Sequence, residues 1–108
     1  MRKRSWLVED NLAALYIALY GAEDLPMSEK EITRLLGKKD FSMRVRQFIA
    51  IETEGKSGLK GGLKSPLFKK LHKIFKRMDR KIFEELVNLI LTTRNRIRIS
   101  NDRSKVLL

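Results

Sequence analysis

The chain has 108 residues, 43% of them apolar, with 24 Lys plus Arg against 13 Asp plus Glu and a net charge of +11; this fits one small domain, or a domain with an appendage, and excludes a large enzyme. A lone histidine, His72, and the absence of cysteine exclude zinc fingers, iron–sulfur sites, disulfide scaffolds, Cys nucleophiles and multi-histidine metal centres. No metal or cofactor is expected, and the chain is read as non-enzymatic.

The charge is segregated. Residues 1–54 carry nine basic and nine acidic side chains, whereas residues 55–108 carry fifteen and four. A field of that sign attracts polyanions, nucleic acid first and an anionic membrane leaflet second. A single Gln beside abundant Lys, Arg and Ile is also the composition towards which thermophile proteins tend.

At the start, Arg2, Lys3 and Arg4 before the apolar stretch Leu12 to Ala22 imitate a secretory signal, but Glu9, Asp10 and Asn11 fall where the apolar region should begin. The stretch reads instead as an ordinary helix of a cytoplasmic protein. Ser5 is placed to cap it, Glu9 and Asp10 suit its first turn, and Val8, Leu12, Leu15, Tyr16 and Leu19 recur at helical spacing until Gly21. After Pro26, Ser28 and Glu31 form a capping box, so a second helix is predicted over Glu29–Leu36, burying Ile32, Leu35 and Leu36 and ending at Gly37. A third helix, capped by Asp40 or Ser42, carries the buried stripe Val45, Phe48 and Ile49. Helix, short helix, tight glycine turn, helix is the outline of a helix-turn-helix, and it defines a unit over residues 1–54.

Four of the six glycines fall between Gly55 and Gly62, and residues 55–66 read as a basic loop at a boundary between two units. Pro66 suits a first helical position after Ser65, with Leu67, Leu71, Ile74, Phe75 and Met78 as the apolar stripe. Nothing interrupts the region 67–93, which is either one long helix or two divided at Asp79. Its second part, with Ile82, Phe83, Leu86, Val87, Leu89 and Ile90, is apolar around most of its circumference and needs cover from the first half or from another copy of the chain. Dimerisation through Phe83, Leu86, Val87 and Ile90 is the expectation on the second alternative. Residues 94–108 form a basic tail, in which Arg96-Ile97-Arg98-Ile99 alternates as a small hairpin would and Asn101-Asp102 supplies a turn. The expected fold class is thus all-α: a three-helix, helix-turn-helix-like unit followed by one or two long basic amphipathic helices.

Two groups of residues suggest chemistry. If Val45, Phe48 and Ile49 face the core, Met43, Gln47 and Ala50 lie opposite with Arg44 and Arg46 on the flanks; Arg pairs bidentately with guanine and Gln with adenine, so Arg44, Arg46, Gln47 and Ser42 are the expected base-reading residues. Lys38 and Lys39, in the turn, are expected on phosphates. The second group is the run from Lys56 to Lys81, ten basic residues against Asp79 alone. Within it Lys56, Lys60, Lys64, Lys69, Lys70, Lys73, Lys76, Arg77 and Arg80 are expected to neutralise phosphates, and the excess of Lys over Arg points to backbone tracking. A solvated lysine face is the bland alternative. Glu54-Gly55-Lys56 with Asp40 upstream matches a fragment of Mg²⁺-dependent nucleases, but the two carboxylates do not sit on adjacent strands as that chemistry needs. No carboxylate lies three or four positions from His72 to orient it as a general base.

Trp6 with Glu9 and Asp10, Leu15-Tyr16, Ile32 with Leu35-Leu36-Gly37, Ser42 leading to Arg46 and Phe48, and Gly58-Leu59 together resemble the small helix-turn-helix-like module found at the front of some HNH-type restriction nucleases and as free-standing archaeal and bacterial proteins. The resemblance covers about half the chain and implies DNA binding, with Ser42, Arg44, Arg46 and Gln47 on the second helix-turn-helix element. No HNH nuclease domain follows it here. The expected function is double-stranded DNA binding, as a small transcriptional regulator or accessory module. RNA or ribosome association is the alternative from another class; a Mg²⁺-dependent nuclease and a protein-interaction subunit rank below it.

Overall fold

Five α-helices follow one another: α1 (Val8–Tyr20), α2 (Glu29–Leu36), α3 (Phe41–Glu52), α4 (Pro66–Lys76) and α5 (Arg80–Leu107), with a short 3-10 helix (Lys60–Lys64) between α3 and α4. The structure is a computed structural model that describes the backbone of residues 5–107 and the side chains of residues 5–100. The signal-like basic residues Arg2 to Arg4 lie outside the described residues. No strand occurs among those described, and no helix is long and apolar enough to cross a membrane.

Local chemistry accounts for most of the helix ends. Ser28 accepts from the Glu31 amide at 3.2 Å while Glu31 accepts from the Ser28 amide at 3.3 Å, and Gly37 closes α2 in the left-handed region at φ 67°, where a side chain would be strained. At α1 the predicted cap moves. The helix begins at Val8, and the Asp10 carboxylate, not Ser5, holds its start by accepting from the Leu7 amide at 2.8 Å. Asp40 flanks α3 without a side-chain cap bond. Asp79 does divide the second half, because its carboxylate accepts from the amides of Lys81 and Ile82 at 2.9 and 3.1 Å. The expected tail or hairpin from residue 94 is instead the continuation of α5, a helix of 28 residues. The alternation Arg96 to Ile99 was a poor guide because no second strand is present to pair with it, and α2 with the start of α1 covers one side of the helix there.

A single core joins both halves of the chain. Leu12, Leu15, Tyr16, Ile32, Phe41 and Phe48 from the first three helices pack with Leu71 of α4 and Phe83, Val87 and Leu91 of α5. The loop at 55–66 is therefore not a packing boundary. Phe83 and Val87 are fully buried by their own chain, with Phe83 edge-on to Tyr16 at 5.3 Å and beside Phe75 at 5.2 Å between ring centroids. This removes Phe83 and Val87 from the expected dimer face: the chain covers that side of α5 itself, while Leu86 and Ile90 are half-buried and Ile82 and Leu89 stay exposed.

Candidate nucleic-acid interface

The third helix does not offer the face expected of it. Gly58 and Gly62 lay the loop directly on its back: a Cβ on Gly58 would fall 2.3 Å from the Arg46 carbonyl oxygen, and one on Gly62 would fall 2.4 Å from that of Gln47. The Leu59 amide donates to the Arg46 carbonyl at 2.9 Å. Only glycine permits an approach this close, and at Gly58 the backbone is also left-handed, φ 79°. Beneath the loop Ala50 is fully buried and Gln47 half-buried.

Arg44 is likewise engaged. Its guanidinium carbon lies 3.9 Å from the Trp6 ring centre and 4.4 Å from that of Phe68, an arrangement that suits the delocalised plane of arginine. Nε donates to the Gln47 carboxamide at 3.0 Å and Nη1 donates to that of Asn11. Burial lowers the Arg44 pKa from its ordinary value, while the nearby charges of Asp40 and Asp10 act the other way. Trp6 stacks on Phe41 with ring planes 5° apart. Of the four expected base readers, Arg44 and Gln47 are thus held inside the fold; Arg46 and Ser42 stay exposed, the Ser42 hydroxyl donating to Glu29.

The expected phosphate contacts divide by exposure and pairing. Lys38 is 5% exposed, with its ammonium 5.6 Å from the Trp6 ring centre; the turn that carries it folds inward, so it does not present a charge to a ligand. Lys76 donates to Glu52 at 2.7 Å, and Arg80 donates to Asp24 at 2.8 Å while lying over Tyr20. Lys39 is exposed in the turn before α3. Lys56, Lys60 and Lys64 on the loop, Lys69, Lys70 and Lys73 on α4, and Arg77 at its C-cap are exposed and have no acidic partner among the described residues.

Amphipathicity explains the α4 group. Leu71, Phe68 and Phe75 turn towards the core, so lysines at positions 69, 70 and 73 and Arg77 are turned outward by the 100° step per residue. The helix rises ~12 Å from Lys69 to Arg77, so these cations form a band along one side. Because the Leu59 amide holds the loop on the Arg46 carbonyl, the backbone that carries the exposed Lys60 follows directly from a contact with α3.

His72 has an orienting carboxylate that the local spacing did not contain. Glu52, at the end of α3, lies 3.3 Å from His72 Nε2 and also holds Lys76. Burial raises the Glu52 pKa, and the hydrogen bonds from Lys76 and His72 outweigh it, leaving a net depression. No cluster of metal-ligating side chains occurs among the described residues, and the carboxylates considered for a nuclease, Asp40 and Glu54, stand at the start of α3 and in the loop beyond it.

No protein family matches the chain, and neither a curated protein nor a solved structure matches it.

Proposed function

We propose that the chain is a non-enzymatic binder of double-stranded DNA, engaging the phosphate backbone through the loop cations and the outward face of α4. One observation carries this reading. Lys76, Arg80, Lys81 and Arg94 have carboxylate partners, whereas the loop and the outer side of α4 concentrate cations that have none among the described residues. Crowded like charge destabilises a fold, and a phosphate backbone relieves the repulsion while releasing its own counterions. The sequence resemblance to a helix-turn-helix-like module supports duplex DNA as the polyanion. With Arg44 and Gln47 engaged inside the fold, base contact is left to Arg46 and Ser42, so the binding is dominated by backbone contacts and only weakly selective for sequence.

The test is a competition experiment. A labelled duplex DNA bound to the full chain at ~50 mM salt should be displaced by unlabelled duplex DNA at lower concentration than by duplex RNA. Preferential displacement by RNA overturns the DNA assignment in favour of RNA association. Absence of binding to either duplex at that salt overturns the nucleic-acid reading altogether and leaves a protein-interaction role.

A further inference from the structure

Away from the lysine band, α2 and the distal part of α5 enclose a cleft of about 250 Å³ lined by Met27, Glu31, Arg34, Leu35, Asn95 and Arg98. Arg34 comes from one wall and Arg98 from the other, and neither has an acidic partner among the described residues. Asn95 adds a carboxamide that makes no hydrogen bond within the described residues. Glu31 shares the cleft but is turned to Ser28, accepting from its amide and hydroxyl at 3.3 and 3.1 Å. The cleft adjoins an open groove of about 390 Å³ that shares Leu35 and Arg98 and adds Leu7, Leu36 and Ile97. Arg94 also borders that groove, but Glu9 and Asp10 neutralise it at 3.1 and 3.3 Å.

We infer that this cleft is a binding site for a small amphipathic carboxylate, its acid head between Arg34 and Arg98 and its apolar part on Leu7, Leu35, Leu36 and Ile97. Charge selects the head group. Among the described residues, two guanidiniums and one carboxylate leave the cleft one positive charge in excess, which a monoanion cancels and a phosphate dianion over-compensates. Planar guanidinium forks also match a carboxylate edge bidentately, and the Asn95 carboxamide offers two further donors. Size selects the ligand: a cleft just below the usual range for ligand pockets holds a head group and a few carbons, and the remainder of a chain must follow the groove. The site is separate from the lysine band, so the inference stands whether or not the chain binds DNA.

The experiment is an NMR titration of the full ¹⁵N-labelled chain with octanoate, acetate and octanol, following the Nε–H groups of Arg34 and Arg98 and the Asn95 amide. Octanoate should give saturable shifts confined to these groups and to the neighbouring backbone of α2 and α5, with a dissociation constant on the order of 1 mM. Arg34→Gln and Arg98→Gln, both exposed side chains whose replacement leaves the core untouched, should each weaken binding at least five-fold. Octanol binding as tightly as octanoate, or unchanged octanoate affinity in the double variant, overturns the carboxylate head site. Acetate binding as tightly as octanoate overturns the apolar part. Shifts of Arg34 and Arg98 on adding a DNA duplex but not octanoate overturn the whole inference and assign the cleft to the nucleic-acid surface.

Discussion

The division between paired and unpaired cations gives the proposed interface a quantitative signature. Seven exposed cations without acidic partners among the described residues, three on the loop and four along α4 and its C-cap, correspond to a slope of log affinity against log salt of about −6.3 if each meets one phosphate of B-form DNA. Affinity then falls about 6,000-fold as salt rises from about 50 to 200 mM. Replacing Lys69 and Lys73 by Gln removes two contacts, so the slope should flatten to about −4.5 and the same salt step should cost about 500-fold. The parallel variant, Lys76→Gln with Arg80→Gln, removes the same formal charge from side chains already committed to Glu52 and Asp24, and its slope should stay near that of the parent. Fluorescence anisotropy with a labelled duplex at four or five salt concentrations reads all three slopes, and circular dichroism checks that each variant is folded. A Lys69/Lys73 variant with the parent slope, or two double variants with the same reduced slope, would refute the reasoning that unpaired cations carry the contact.

Further consequences concern the fold that presents the site. Arg44→Ala should lower stability by about 2–4 kcal/mol, from the loss of a desolvated cation–π stack and charge-assisted hydrogen bonds, and chemical denaturation measures it; a change in DNA affinity without a stability change would return Arg44 to the binding surface. Phe83→Ala should cost about 3–5 kcal/mol by opening a cavity in the shared core while the molecular mass from light scattering stays the same; a loss of mass with intact stability would restore the residue to a dimer interface. Gly62→Ala should destabilise by about 1–3 kcal/mol because its Cβ meets the backbone of α3, whereas Gly61→Ala, with open space around it, should be close to neutral. The net depression of the Glu52 pKa means that its folded-state contribution is fully present above the carboxylate's unfolded value and is lost as pH falls through the depressed one. Urea midpoints measured from pH 6 downward should therefore fall less steeply in Glu52→Gln than in the parent, and parallel curves would show that the bonds from Lys76 and His72 do not stabilise the fold.

What could be read from the sequence was what neighbouring residues decide among themselves. The Ser28–Glu31 box, the Gly37 stop, Pro66 after Ser65 and the Asp79 division are all local, and periodicity located the apolar face of α2; along α4 and the turn after it, periodicity found Leu71, Phe75 and Met78 but also took the exposed Leu67 and Ile74 for core and passed over Phe68. The site was less accessible because its geometry depends on partners far along the chain. Trp6 and Phe68 are 38 and 24 residues from Arg44, and no spacing rule indicates that they close on its guanidinium. Similarly, the carboxylate beside His72 comes from a different helix. The residues expected at a dimer face divide for a related reason: an apolar circumference shows that a helix must be covered but not by what, and α1, α2 and Phe75 of α4 cover Phe83 and Val87 from within the chain.

The sequence marks the glycine-rich stretch as a basic loop at a boundary between two units, yet the glycine spacing itself holds the clue to a packing role. Gly58 and Gly62 are four residues apart and touch α3 at Arg46 and Gln47, so each glycine sits where a side chain would otherwise strike the helix backbone. A flexible linker would not need glycine at those two points, where contact leaves no room for a Cβ. Laying the loop on α3 covers the polar face of a helix that would otherwise be free to enter a groove, and carries Lys56, Lys60 and Lys64 out to the surface instead. The same packing therefore withdraws Gln47 from base contact and places loop cations where a backbone can meet them. On the proposed reading, releasing the loop by Gly58→Ala together with Gly62→Ala should expose Gln47 while scattering the loop lysines, so affinity should fall even though the helix becomes more accessible. A gain in affinity in that variant, measured by anisotropy on a fold verified by circular dichroism, would mean that α3 and not the cation band is the binding element.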